Sequence, residues 1–156
     1  MMLYFAYGSN MWEAQMVKRC PSTRFVGIAA LRDYKLAFTR ESPARGCGVA
    51  DAVEAPGSVL WGVAYELIDA DIGSLDRSEG YRPGRSVGNS YWKRECDVYL
   101  NNDERQKRRV CTYFAERVAN PPKPNRAYIN LIIGGARKWG LPADYIAVLN
   151  QIPVDA

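Results

Sequence analysis

Leu3-Tyr-Phe-Ala-Tyr-Gly-Ser-Asn10 begins with five apolar or aromatic residues and stops abruptly at a Gly-Ser-Asn run. The pattern predicts a short buried strand entering a tight turn. Residues 11–18, Met-Trp-Glu-Ala-Gln-Met-Val-Lys, contain no Gly or Pro and predict a helix directly after it. A strand, a small-residue loop and a helix start leave several backbone N–H groups pointing outward. Such a loop can hold a carboxylate or a developing oxyanion. An Asn-capped helix in which Gly8 only makes the turn explains the same residues without a ligand. The choice between the two rests on the rest of the chain.

Residues 24–38 read as extended, with Tyr34, Leu36 and Phe38 alternating with Lys35 and Ala37, and with Gly27 as a bend or bulge. A loop is expected over 40–48, a short strand over 48–53 and a turn at Ala55-Pro-Gly-Ser58. Val59-Leu-Trp-Gly-Val-Ala-Tyr-Glu-Leu67 is a nearly continuous apolar strand, expected to be central. Residues 69–79 predict a helix capped by Asp69 or Asp71 and closed by Gly80, followed by a loop over 81–90. Residues 91–100 and 110–115 form a hairpin with a polar connection. After the stiff Asn120-Pro-Pro-Lys-Pro124 comes a helix over 125–139. Its Gly134-Gly135 pair costs about 1 kcal/mol per residue relative to Ala, so close approach of a neighbouring element is expected. Gly140 ends that helix and Pro142 opens another, with Tyr145, Ile146 and Leu149 facing inward. Many strands and few, non-alternating helices predict an α+β fold on a mostly antiparallel or mixed sheet able to curl into a barrel.

The 156 residues suit one domain, 1–156, with a sizeable core. The net charge of +4 permits acidic small-molecule ligands without demanding nucleic acid, and the basic run at 105–109 reads as a hairpin tip. No apolar run is long enough to span a membrane, and no basic segment precedes the first apolar run as in a signal peptide. A cytoplasmic protein is expected. The four scattered cysteines read as reduced structural thiols. The chain contains no histidine, which excludes Ser-His-Asp and Cys-His catalysis and any imidazole metal site. A proton-transfer enzyme built from these residues uses a carboxylate base in preference to Lys, Tyr or Cys.

The chain resembles the γ-glutamylcyclotransferase family along nearly its whole length. The similarity runs in order through residues 3–10, Leu31-Arg-Asp-Tyr-Lys-Leu36, Pro56-Gly-Ser-Val-Leu-Trp-Gly-Val63, Ser74-Leu-Asp-Arg-Ser-Glu-Gly80 and residues 125–142. Each motif alone is weak; five in order are specific. The resemblance implies a small, mixed, mostly antiparallel β-barrel flanked by helices. It also implies an intramolecular aminolysis, in which the α-amine of a γ-glutamyl group attacks its own γ-carbonyl and releases 5-oxoproline.

Carried over by position, Glu79 is the catalytic residue that moves protons, and no metal or cofactor is needed. The substrate is held by residues 4–10, namely Tyr4, Phe5, Ala6, Tyr7, Gly8, Ser9 and Asn10, with Tyr113 and Tyr128. The family's tyrosine about seven residues beyond the glutamate falls here on Ser86, and the longer loop assigns its place to Tyr91. A glutamate in the last turn of a helix is disfavoured by the helix dipole by roughly 0.3–1 kcal/mol, which favours a function over a merely solvated position. The implied partner is a small γ-glutamyl molecule, with no nucleic acid or membrane, and the chain is expected to be a monomer or homodimer. Two alternatives stand beside γ-glutamyl amino acids and peptides. One is the same chemistry on γ-glutamylamines or a γ-glutamyl-protected intermediate; the other is a non-catalytic small-ligand-binding module.

Overall fold

The computed structural model describes residues 1–155. Five strands close a barrel: β1 (Met2–Ala6), β2 (Arg24–Ser42), β3 (Cys47–Leu67), β4 (Tyr91–Leu100) and β5 (Lys107–Ala115), in the order β1-β3-β2-β4-β5. Every neighbouring pair is antiparallel except β1 and β5, which meet in parallel at Tyr4 and Cys111. The barrel is thus mixed and mostly antiparallel, as expected, with four helices packed around it. These are α1 (Glu13–Arg19), α2 (Asp69–Ser78), α3 (Arg126–Trp139) and α4 (Ala143–Asn150). Among the described residues no helix is long and apolar enough to cross a membrane.

The β2–β3 hairpin departs most from the sequence reading. The loop expected over 40–48 contracts to a turn at 43–46, because Glu41 pairs with Gly48 and Ser42 with Cys47. Strand pairing overrides the polar, Gly- and Pro-containing composition there. The turn expected at Ala55-Pro-Gly-Ser58 forms an excursion within β3 and does not end it. Partners jump from Tyr34–Glu54 to Arg32–Val59, and Gly57 N–H donates to Asp33 Oδ1 at 2.9 Å. Asp33 and Gly57 both sit at positive φ. This shift and those at Phe25/Gly27 and Phe38/Arg40 bend two long strands around the barrel.

The first helix also starts later than expected. Ser9–Met11 form a 3-10 turn, and α1 begins only after the extended Trp12. Tertiary bonds hold the turn: Tyr65 Oη donates to the Asn10 carbonyl at 2.9 Å, and Trp139 Nε1 to the Met11 carbonyl at 3.0 Å. At α2 the N-cap is Ile68, not Asp69 or Asp71; Asp71 instead accepts from Ser22 N–H at 2.9 Å. β5 starts at Lys107, three residues before the expected strand, since Lys107 and Arg109 face Asp97 across the hairpin at 3.5 and 3.3 Å. The expected hairpin and the Gly140 stop at φ +76° form, and Asn125 caps α3 by accepting from Tyr128 N–H. The Gly134-Gly135 pair lets α3 close onto Trp12 and Met11.

Candidate active site

A cavity of about 500 Å³ opens where β1 ends, walled by the 3-10 turn, the β2–β3 turn and the end of α2. Strand β1 delivers Tyr4 and Tyr7 to it, and the bend at Gly8 turns the backbone across its floor. Gly8 fits closely there, since a Cβ would meet Ala50 Cβ at 3.2 Å. The N–H groups of Gly8, Ser9 and Asn10 take no acceptor among the described residues. They are the orphan donors of a helical turn's start, on residues that line the cavity.

Glu79 lies just past the last turn of α2 and enters the same cavity from the opposite side of the sequence. Asn10 Nδ2 donates to Glu79 Oε1 at 3.1 Å and to the Tyr4 hydroxyl at 3.0 Å, joining loop and acid directly. Burial pushes the Glu79 carboxyl up to about 7, against the opposing pull of Arg19 and Arg45 and the Asn10 hydrogen bond. That value suits a group that must both take and give a proton near neutrality.

Asn10 does not cap a helix. Its Oδ1 accepts from Gln15 Nε2 and Arg19 Nη1, both at 2.9 Å. Gln15 Nε2 also donates to Ser9 Oγ at 2.9 Å, and Gln15 Oε1 accepts from Arg45 Nη2 at 2.8 Å. Arg45 lies over the Tyr128 ring, 4.9 Å from its centroid. Arg19, Gln15 and Arg45 were absent from the sequence prediction. An arginine ending a helix reads as a dipole partner and one in a polar turn reads as solvated, so neither carries a local signal.

The expected site residues separate into groups. Tyr4, Tyr7, Gly8, Ser9, Asn10, Glu79, Tyr91, Tyr113 and Tyr128 all line the cavity. Phe5 and Ala6 do not; both are buried against Gly62 of β3, where a Cβ would meet the Ala6 carbonyl at 2.3 Å and the Phe5 ring at 2.8 Å. Strand alternation points Phe5 opposite to Tyr4, whereas Ala6 shares the face of Tyr4 and is buried without reaching the cavity. Tyr91 reaches the cavity, whereas Ser86 stays in the exposed loop.

The tyrosines also differ in what their hydroxyl protons do. Tyr7 donates to the Tyr113 carbonyl, Tyr113 to Asp76 Oδ1 at 2.5 Å and Tyr91 to the Ala50 carbonyl at 2.6 Å. Tyr4 and Tyr128 only accept, from Asn10 Nδ2 and from Ala50 N–H at 3.0 Å each, so each keeps a proton to offer into the cavity. Asp76, three residues before Glu79, is buried and also held by Lys93 Nζ at 3.0 Å, which pins the end of α2 to the barrel.

With this geometry, comparison with known proteins is decisive. Residues 59–149 match the AIG2-like family. The chain is 32% identical over 154 residues to a γ-glutamylcyclotransferase of Bos taurus, covering 96% of this chain and 78% of that protein. The chain belongs to the γ-glutamylcyclotransferase family. The human γ-glutamylcyclotransferase is 31% identical over the same shares. A solved γ-glutamyl cyclotransferase structure superposes with a TM-score of 0.88 at 29% identity, covering 99% of this chain and 89% of that one. In this chain the loop and Glu79 reach the cavity from two walls and meet through Asn10.

Proposed function

We propose that this chain cyclises γ-glutamyl amino acids or peptides, releasing 5-oxoproline and the free amino acid or peptide. The observation that carries the reading is Glu79, raised to about 7 and hydrogen-bonded to Asn10 of a loop whose adjacent N–H groups are free. Glu79 takes a proton from the substrate's α-ammonium. The amine then attacks the γ-carbonyl, forming a C–N bond and an oxyanion. The free amides of Gly8, Ser9 and Asn10 and the hydroxyls of Tyr4 and Tyr128 supply donors to that oxyanion and to the α-carboxylate. Collapse breaks the original amide bond as Glu79 gives its proton to the leaving nitrogen and takes the second proton from the attacking nitrogen, leaving the neutral lactam; that proton then passes to the departing amine, which leaves as an ammonium. Ring closure is unimolecular, so holding the chain folded supplies a large part of the catalysis.

Unpaired cysteines suit a reducing cytoplasm. The direct experiment is to incubate the protein with γ-glutamyl-L-alanine and follow 5-oxoproline and alanine; release of neither, across a panel of γ-glutamyl amino acids and amines, overturns the reading.

Two further results are expected. Phenylalanine at Tyr4 or Tyr128 should lower kcat by roughly 10- to 100-fold, below the cost of losing a whole oxyanion-hole donor. Phenylalanine at Tyr91, whose proton is committed to Ala50, should act mainly through stability; a larger kcat loss at Tyr91 than at Tyr128 would reverse this division. The acid limb of kcat/KM should have its midpoint near pH 7, because Glu79 works as a base only when ionised. Arg19→Gln removes a positive charge that favours the carboxylate, so the limb should move to higher pH; a shift to lower pH would contradict the charge assignment.

A further inference from the structure

Four arginines line the cavity: Arg19 from α1, Arg40 from β2, Arg45 from the β2–β3 turn and Arg77 from α2. Among the described residues none pairs with a carboxylate, although ten other ion pairs form elsewhere. The two carboxylates of the lining do not offset them. Glu79 is half-protonated near neutral pH, and Glu41 is exposed near the end of β2.

The four divide by position. Arg19 and Arg45 are held against the loop through Asn10, Ser9 and Gln15, and both act on the Glu79 carboxyl. They form the inner pair, beside the loop and Glu79. Arg40 and Arg77, the outer pair, make no hydrogen bond to the loop or to Gln15. Arg40 spends one nitrogen on the Glu116 carbonyl at 3.0 Å and keeps the rest of its guanidinium free. Arg77 is exposed at the end of α2, two residues before Glu79.

A γ-glutamyl conjugate of a neutral amino acid brings two carboxylates and one ammonium, enough to occupy the inner pair. The outer pair then lacks a partner. We propose that Arg40 and Arg77 select leaving groups that carry an additional carboxylate, so that γ-glutamyl conjugates of acidic amino acids are the preferred substrates. This inference rests on the cyclotransferase reading and adds to it the identity of the leaving group.

The test uses an isosteric pair, γ-glutamyl-L-glutamate and γ-glutamyl-L-glutamine, which differ only in the distal charge. With the wild-type protein in low-salt buffer, kcat/KM should favour the glutamate conjugate by about fivefold, the size of an exposed charge pair. Raising the salt should shrink that ratio, since exposed charges are screened. Arg40→Gln and Arg77→Gln should each reduce the ratio and the double variant should bring it near unity, with Arg40→Lys retaining most of it. A wild-type ratio of one or below overturns the inference, as does a ratio unaffected by the double variant. Release of 5-oxoproline from neither conjugate nor from γ-glutamyl-L-alanine instead overturns the cyclotransferase reading itself.

Discussion

Glu79→Gln should lose about 10²- to 10⁴-fold in kcat while gaining stability at alkaline pH. The first part follows from chemistry. Glutamine keeps an oxygen that can accept from Asn10 Nδ2, so shape and the loop contact survive, but it neither accepts nor returns a proton. The second part follows from linkage. In the unfolded chain Glu79 titrates at its ordinary 4.5; in the folded chain burial raises it to about 7. Below 4.5 the group is protonated in both states and burial of a charge costs nothing. As pH rises toward 7 the unfolded chain releases its proton first, and stability falls. Above 7 the cost is complete, at most about 3 kcal/mol from a shift of this size. Glutamine carries no such cost. Its melting temperature should exceed that of the wild type at pH 8 by several degrees, at about 2–4 °C per kcal/mol for a domain of this size, with the difference vanishing near pH 4.5. Loss of turnover together with lower stability at both pH values would mean that Glu79 is a structural residue. Unchanged turnover would remove it from the mechanism.

The parts legible in the sequence are those whose signals are local. Five apolar residues stopping at Gly8 define β1 and its exit loop, and Gly140 marks the end of α3 by its cap chemistry. The place of Glu79 at the cavity was legible through family resemblance and the dipole mismatch, and the lack of histidine left a carboxylate as the favoured base. The length of the β2–β3 hairpin was not. Residues 43–46 and 55–58 have equally strong turn composition, yet one reverses the chain and the other only bulges from it. What separates them is pairing with β2, a non-local interaction. The same hairpin carries Arg45 onto Tyr128, some eighty residues away in sequence, so its place beside the site depends on barrel closure. Phe5 and Ala6 are the opposite case. The family resemblance took in the whole loop, whereas alternation along β1 already directs Phe5 into the core.

Gly135→Ala tests whether the loop is held in place by α3, and it should be costly for an unusual reason. In an exposed helix this change gains about 1 kcal/mol, because alanine is the better helix former. Here a Cβ would lie 2.4 Å from the Met11 carbonyl carbon and 2.5 Å from its oxygen. Those are backbone atoms and cannot rotate away, so either α3 or the 3-10 turn must move. Met11 directly follows Asn10, and its carbonyl is the acceptor for Trp139 Nε1. Overpacking of this kind costs about 1–3 kcal/mol, so a lower melting temperature is expected in spite of the better propensity. The effect on catalysis should be larger. Displacement of the turn moves Asn10 away from Glu79 and tilts the free amides, and misplacement by about 1 Å can cost 100-fold in rate. Gly73→Ala in α2 provides the contrast, since its Cβ would meet only the mobile end of Arg77, at 3.4 Å. That variant should match or exceed wild-type stability. If Gly135→Ala behaves like Gly73→Ala in melting temperature and kcat/KM, α3 does not fix the turn. A disproportionate loss of kcat/KM at Gly135 would make the fit between α3 and the 3-10 turn a determinant of the rate.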